Sequence, residues 1–142
     1  MSKRDLLAEV PLFQGSSNKE LAQISAIANR VVAEPGEILV GEGEAGDLFF
    51  VIERGEAEVT IGGQRVAQLS AGGFFGEVAL LDALPRTATV TARTQMTLYT
   101  VKGTDFSRFL DNSPSVTRKI LTTVSERLRS VEHAPSYAAP EV

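Results

Sequence analysis

The residues best suited to chemistry lie between Leu69 and Val90, where the regular pattern of the chain breaks down. Gly72, Gly73 and Gly76 surround Phe74 and Phe75, then Glu77-Val78-Ala79-Leu80-Leu81 reads as a helical turn or slightly more. Leu84-Pro85 breaks that turn, and Arg86-Thr87-Ala88-Thr89-Val90 resumes a strand. A short helix inserted among strands interrupts ladder hydrogen bonds, so something must compensate for it. An anion would do so. A helix starting near Glu77 offers free N–H groups and the positive end of its dipole, which together bind phosphate without a dedicated charge. Gly76 lets the backbone approach a ligand closely. Arg86, nine residues after Glu77, adds a guanidinium fork matched to phosphate oxygens. Glu77 has two readings on spacing alone. It is a favourable residue for a helix N-terminus, or it accepts hydrogen bonds from ligand hydroxyls, as an acid does with a ribose.

Composition removes many alternatives. The chain of 142 residues has no cysteine, so disulfides, thiolate metal sites and cysteine nucleophiles are excluded. Its one histidine, His133, stands at the edge of the C-terminal tail. A multi-histidine metal site within the chain is impossible, and no resident metal or cofactor is expected. The formal charge is −4 with no basic run, which argues against nucleic acid as a partner of this chain. No apolar run approaches the ~20 residues of a membrane span. The charged start, MSKRDLLAEV, lacks the apolar centre of a signal peptide. The expectation is a cytoplasmic protein without membrane contact.

The elements that must position these residues are legible from periodicity. Leu6, Leu7 and Val10 form a short helical patch closed by Pro11. Ser17-Asn18-Lys19-Glu20 has the form of a capping box ahead of Leu21, Ile24, Ile27 and Ala28, predicting a helix over about 18–29. From Arg30 to Val101, seven short β-rich runs follow (VVAE, EILVGE, LFFVIE, AEVTI, RVAQL, TATVTAR and MTLYTV), most of them separated by Gly or Pro. That spacing predicts a sandwich or barrel, with Gly62-Gly63 as a hairpin turn and Ala57, Val59 and Ile61 on one face of their strand. Phe106, Phe109 and Leu110 make a one-sided patch. Ser113 then reads as an N-cap, with Pro114 first in a long helix to about Glu132. Val116, Ile120, Val124, Leu128 and Val131 run down one face of that helix. The layout is helix, β-roll, helix, long helix: one domain over 1–133, with a disordered tail over 134–142.

With these residues in place, the segment Phe75-Gly76-Glu77-Val78-Ala79-Leu80-Leu81, followed by Pro85-Arg86-Thr87-Ala88-Thr89-Val90, resembles the phosphate-binding cassette of cyclic-nucleotide-binding domains. Such domains occur in protein kinase A regulatory subunits, cyclic-nucleotide-gated channels and catabolite activator proteins. Gly43-Glu44-Ala45-Gly46-Asp47, ahead of LFFVIERG, is similar to the family's glycine-punctuated strands. The resemblance implies a mostly β fold with flanking helices. That fold is a jelly-roll (double-stranded β-helix) with N-terminal helices, a short phosphate-binding helix and two C-terminal helices. It also implies that Glu77 binds the ribose 2′-hydroxyl, that Arg86 pairs with the cyclic phosphate, and that the backbone N–H groups of Ala79 and Thr87 complete the cradle. Gly76 admits the ribose, and Ala88 belongs to the same ligand-binding set. Val59, Leu69 and Val78 pack against sugar and base, or serve as ordinary core. Asp47 stands behind the site as the acid that orients the arginine.

Thr87 serves the phosphate of either nucleotide and could also accept from the guanine amine, so cAMP is favoured while cGMP stays open. The last helix is a candidate lid through Arg127, Leu128 or Val131, although Arg127 reads first as a solvated helix charge. The function so implied is non-catalytic. The ligand shifts a population of C-terminal helix arrangements, read by an effector protein or across a homodimer. The alternatives are a fragment of a larger channel, kinase or transcription factor, a cupin-like enzyme (disfavoured by the single histidine), and a degenerate domain without a ligand.

Overall fold

The structure, a computed structural model, describes residues 2–76 and 85–132, with side chains to residue 129. Expectations for Glu77, Val78, Ala79 and their short helix, for the Val131 side chain, for His133 and for the tail lie outside the described residues.

Three helical segments open the chain: α1 (Lys3–Glu9), a 3-10 turn (Pro11–Phe13) and α2 (Asn18–Ile27). The Ser17–Glu20 capping box is present. Glu20 N–H donates to Ser17 Oγ at 3.1 Å, and Ser17 N–H donates to Glu20 Oε1 at 2.8 Å. The helix stops at Ile27, short of the expected residue 29, because Asn29 pairs with Thr100 and begins a strand. Two further helices follow the strands among the described residues, α3 (Gly103–Asp111) and α4 (Pro114–Glu132). Pro114 is the first residue of α4 as expected, but Ser113 does not cap it. Its hydroxyl is buried and makes no capping hydrogen bond.

Among the described residues, eight strands lie between the helical segments: β1 (Asn29–Ala33), β2 (Ile38–Val40), β3 (Leu48–Arg54), β4 (Ala57–Ile61), β5 (Gln64–Leu69), β6 (Phe74–Phe75), β7 (Thr89–Ala92) and β8 (Met96–Lys102). They pair antiparallel in two four-stranded sheets, ordered β1-β8-β3-β6 and β2-β7-β4-β5. Gly62 and Gly63 both take positive φ, +59° and +81°, as a tight turn that follows the strand twist requires. Strand β6 is the element the sequence hides: two phenylalanines among glycines, paired to Val51 and Phe50.

β3 is buried on both faces, and its alternation divides the core in two. Phe49 and Val51 face the helices, in a cluster with Phe13, Phe74, Tyr99, Phe106, Phe109, Val116 and Ile120. Phe49 stacks on Phe106 with ring centroids 4.3 Å apart. Phe50 and Ile52 face the space between the sheets, with Phe75, Val90, Met96 and Leu98.

The outer end of this framework is tied by Arg30, Glu53 and Tyr99. Tyr99 donates to Glu53 at 2.6 Å, and Arg30 donates to the same carboxylate at 2.9 and 3.3 Å, joining β1, β3 and β8. The Arg30 guanidinium, and then the Tyr99 hydroxyl, hold the Glu53 carboxyl below its usual range. Burial first, and then the Glu53 carboxylate, push the Tyr99 phenol up to about 12. A raised folded-state pKa contributes stability that is complete below the ordinary phenol range and is lost as pH rises toward 12. Alkaline titration by ultraviolet absorbance is therefore expected to show a tyrosine step near pH 12 that Tyr99→Phe removes. A Tyr99 step near pH 10 would contradict it.

Candidate functional site

The site is assembled from β-sheet register, and then from one arginine. Val40 pairs with Val90, Val90 with Val59, and Val59 with Ala67, so four small apolar residues form one row across β2, β7, β4 and β5. This row floors a cavity of about 290 Å³, walled further by Ile61, Leu69, Phe75, Gly76, Thr87 and Ala88. The expected alternation of Ala57, Val59 and Ile61 is present, but only Ala57 is core. Val59 and Ile61 face the cavity, which is why they are less buried.

Arg86 lies in the cavity wall and is only 6% exposed. Its main chain is fixed by the 41–47 loop: Arg86 N–H donates to Glu44 O at 2.9 Å, and Gly43 N–H donates to Arg86 O at 2.8 Å. Its side chain donates to Leu48 O at 2.8 Å and to Gly76 O at 3.3 Å. Two glycines make room for it. A Cβ at Gly46 would stand 2.6 Å from Arg86 Nε, and one at Gly76 would stand 2.7 Å from Leu48 O and 3.1 Å from Arg86 Nη1. Gly76 also has φ +83°, in the region that side chains rarely adopt. Asp47 and Arg86 both line a small side cavity of about 150 Å³. The Asp47 carbonyl accepts from Gly103 N–H at 2.6 Å, linking that loop to the start of α3.

α4 reaches the same cavity through Arg127, which overturns its reading as a solvated helix charge. Its guanidinium lines the cavity, donates to Phe74 O at 2.5 Å and lies over the Phe74 ring at 4.8 Å from the centroid. A carbonyl at the end of a short strand and an aromatic face offer a guanidinium more than bulk water does. Leu128, the neighbouring lid candidate, is 44% exposed and does not line the cavity.

The structure thus brings Val59, Leu69, Gly76, Arg86, Thr87, Ala88 and Arg127 to one cavity. Sequence reading missed Val40, Ile61 and Ala67 as lining residues, and gave Phe75 and Val90 only as the ends of the cassette. Their only signal was alternation, which says that a face is apolar but not which strand lies beside it. Among the described residues the polar side chains of the lining are Arg86, Thr87 and Arg127, with no carboxylate. A cation in an apolar concavity of this size suits a small anion carrying an apolar or aromatic body.

A sequence model of the cyclic nucleotide-binding domain matches residues 30–113. A cAMP-dependent protein kinase regulatory subunit from Yarrowia lipolytica is 45% identical over 106 residues, covering 73% of this chain and 28% of that protein. A cyclic nucleotide-gated potassium channel from Rhizobium etli is 36% identical over 122 residues, covering 86% of this chain and 34% of that protein. The crystal structure of the regulatory domain of Toxoplasma gondii PKA with cAMP superposes with a TM-score of 0.74 at 28% identity, over 87% of this chain and 48% of that one. The chain therefore spans about a third or less of the curated relatives it matches. A buried arginine in the wall of a cavity between antiparallel sheets, with a family match over most of the β region, places the chain in the cyclic nucleotide-binding domain family.

Proposed function

We propose that this chain is a non-catalytic sensor of a cyclic nucleotide monophosphate, with cAMP favoured over cGMP. The observation that carries this reading is Arg86, buried beside Gly76 in the wall of an apolar cavity. A buried guanidinium suits a phosphate, and the valine row suits a sugar and a purine. In this reading Arg86 pairs with the cyclic phosphate, Ala79 and Thr87 donate main-chain N–H groups to it, and Glu77 accepts from the ribose 2′-hydroxyl. Val59, Leu69 and Val78 hold sugar and base. The preference for cAMP draws support from the kinase regulatory relatives and from the structural neighbour solved with cAMP.

The output is a shift between arrangements of α3 and α4, effective to the extent that ligand prefers one of them. Among the described side chains, Arg127 is the contact by which α4 borders the ligand space. The reader of that shift is an effector protein or a second copy of the chain, in the cytoplasm. No described helix is long and apolar enough to cross a membrane.

Side-by-side calorimetric titration of the full chain with cAMP and cGMP tests the reading. Saturable binding of at least one is expected, with cAMP the tighter. Absence of binding for both at millimolar ligand would overturn it. Thr87 lines the cavity, exposed to whatever enters. If its hydroxyl reads the guanine amine, Thr87→Ala weakens cGMP more than cAMP, whereas an equal loss restricts Thr87 to the phosphate.

A further inference from the structure

A second cavity lies on the helical side of β6. It measures about 390 Å³, with Pro11, Leu12 and Phe74 supplying apolar wall and Arg118, Thr122 and Thr123 of α4 supplying polar wall. Its shape is held by Lys119, whose ammonium donates to Pro11 O at 3.0 Å and Gln14 O at 2.6 Å, clamping the 3-10 turn to α4. Among the described residues no carboxylate lines it. Arg118 is exposed at its edge and makes no hydrogen bond or ion pair among the described residues. An apolar wall bordered by Arg118, Thr122 and Thr123, which carry a guanidinium and two hydroxyls, is complementary to a small amphipathic anion, with an aromatic or branched body and one carboxylate.

This cavity shares its partition with the nucleotide cavity. Phe74 and Phe75 are successive residues of β6 and therefore point to opposite faces. Phe74 lines the second cavity, and Phe75 lines the first. On α4, Thr123 and Arg127 stand four residues apart on one face. Thr123 lines the second cavity, while Arg127 lines the first and holds the Phe74 carbonyl. Whatever moves Phe74 or α4 on one side alters the wall of the other.

We propose that the pocket between the 3-10 turn, β6 and α4 is a second ligand site, for a small amphipathic carboxylate, coupled to the nucleotide cavity through β6 and α4. The coupling rests on the nucleotide reading, whereas the site itself does not. The test is a nuclear magnetic resonance titration of the isotope-labelled full chain with naphthylacetate, and with its neutral amide, each with and without saturating cAMP. Naphthylacetate is expected to shift the Gly72, Thr122 and Thr123 amides saturably at millimolar concentration, and to do so with cAMP bound. The neutral amide, or Arg118→Gln, is expected to weaken binding by about tenfold, as loss of a charge-assisted hydrogen bond does. Coupling requires naphthylacetate to change the cAMP affinity by the same factor that cAMP changes the naphthylacetate affinity. Unsaturable shifts, displacement of the probe by cAMP, or equal binding of acid and amide would each overturn the site. An unchanged cAMP affinity would overturn the coupling. Failure of cAMP alone to bind would sink the nucleotide reading while leaving the Gly72 and Thr122 shifts to report on this pocket.

Discussion

Arg86→Ala is expected to weaken cAMP and cGMP together by at least tenfold, and by as much as a few hundredfold. The size follows from the contact removed. One charge-assisted hydrogen bond contributes about 1.5–3 kcal/mol, and a guanidinium can make two to one phosphate. The loss should fall alike on both nucleotides because the phosphate is common to them. The substitution also leaves Leu48 O and Gly76 O without their present donor. A buried acceptor left unpaired costs about 1–3 kcal/mol, so a lower melting temperature is expected too. Arg86→Lys separates the two effects. It keeps a cation but not the planar fork that reaches both carbonyls, so it should retain part of the affinity. Calorimetry on folded protein, checked by circular dichroism, measures the outcome. Unchanged binding by Arg86→Ala would mean that the anion is held elsewhere.

Gly76→Ala is expected to damage both folding and binding, although it adds one methyl group. The residue sits at φ +83°, where a side chain costs ~1–2 kcal/mol. The new Cβ would also stand 2.7 Å from Leu48 O, a main-chain atom of β3 that cannot swing aside. Relief requires the Gly76 segment to shift, which pulls its carbonyl away from Arg86. The melting temperature should fall by several degrees for each kcal/mol lost, as expected for a domain of this size, with nucleotide affinity falling alongside. Gly62→Ala is the control. Its φ is also positive, at +59°, but an added Cβ there meets nothing within 4 Å. It should lower stability modestly and leave affinity unchanged. Equal losses from both substitutions would show that the steric setting of Gly76 is irrelevant to the site.

What could be read in advance divides along sequence distance. The Ser17–Glu20 capping box, the Gly62-Gly63 turn and the break around Gly76 depend on residues within a few positions of one another, and each stands where local chemistry puts it. Arg86 was legible from its residue type after the glycine segment, although the residues that fix it, Glu44, Gly46 and Leu48, lie about 40 positions away. The floor of the cavity was not. Val40, Val90, Val59 and Ala67 meet only after four strands have paired, and no residue among them carries that register. β6 was hidden because a two-residue strand is too short to show alternation. Arg127 was misjudged because its partner, Phe74, lies 53 residues away along the chain. Ser113 misled in the opposite direction. It has the right residue type at the right position for a cap, yet its hydroxyl is buried and makes no capping hydrogen bond.

The two glycines beside Arg86 have a consequence for the speed and economy of recognition. A free arginine loses rotamer freedom when it closes on an anion, and immobilising such a side chain costs about 0.5–1.5 kcal/mol. Here the absent Cβ atoms of Gly46 and Gly76, together with two carbonyl acceptors, hold the guanidinium in its wall through protein contacts alone. The ordering is done when the chain folds. On the proposed reading, an arriving phosphate would meet a preorganised cation, and affinity would rise by a few-fold to about tenfold with no added contact.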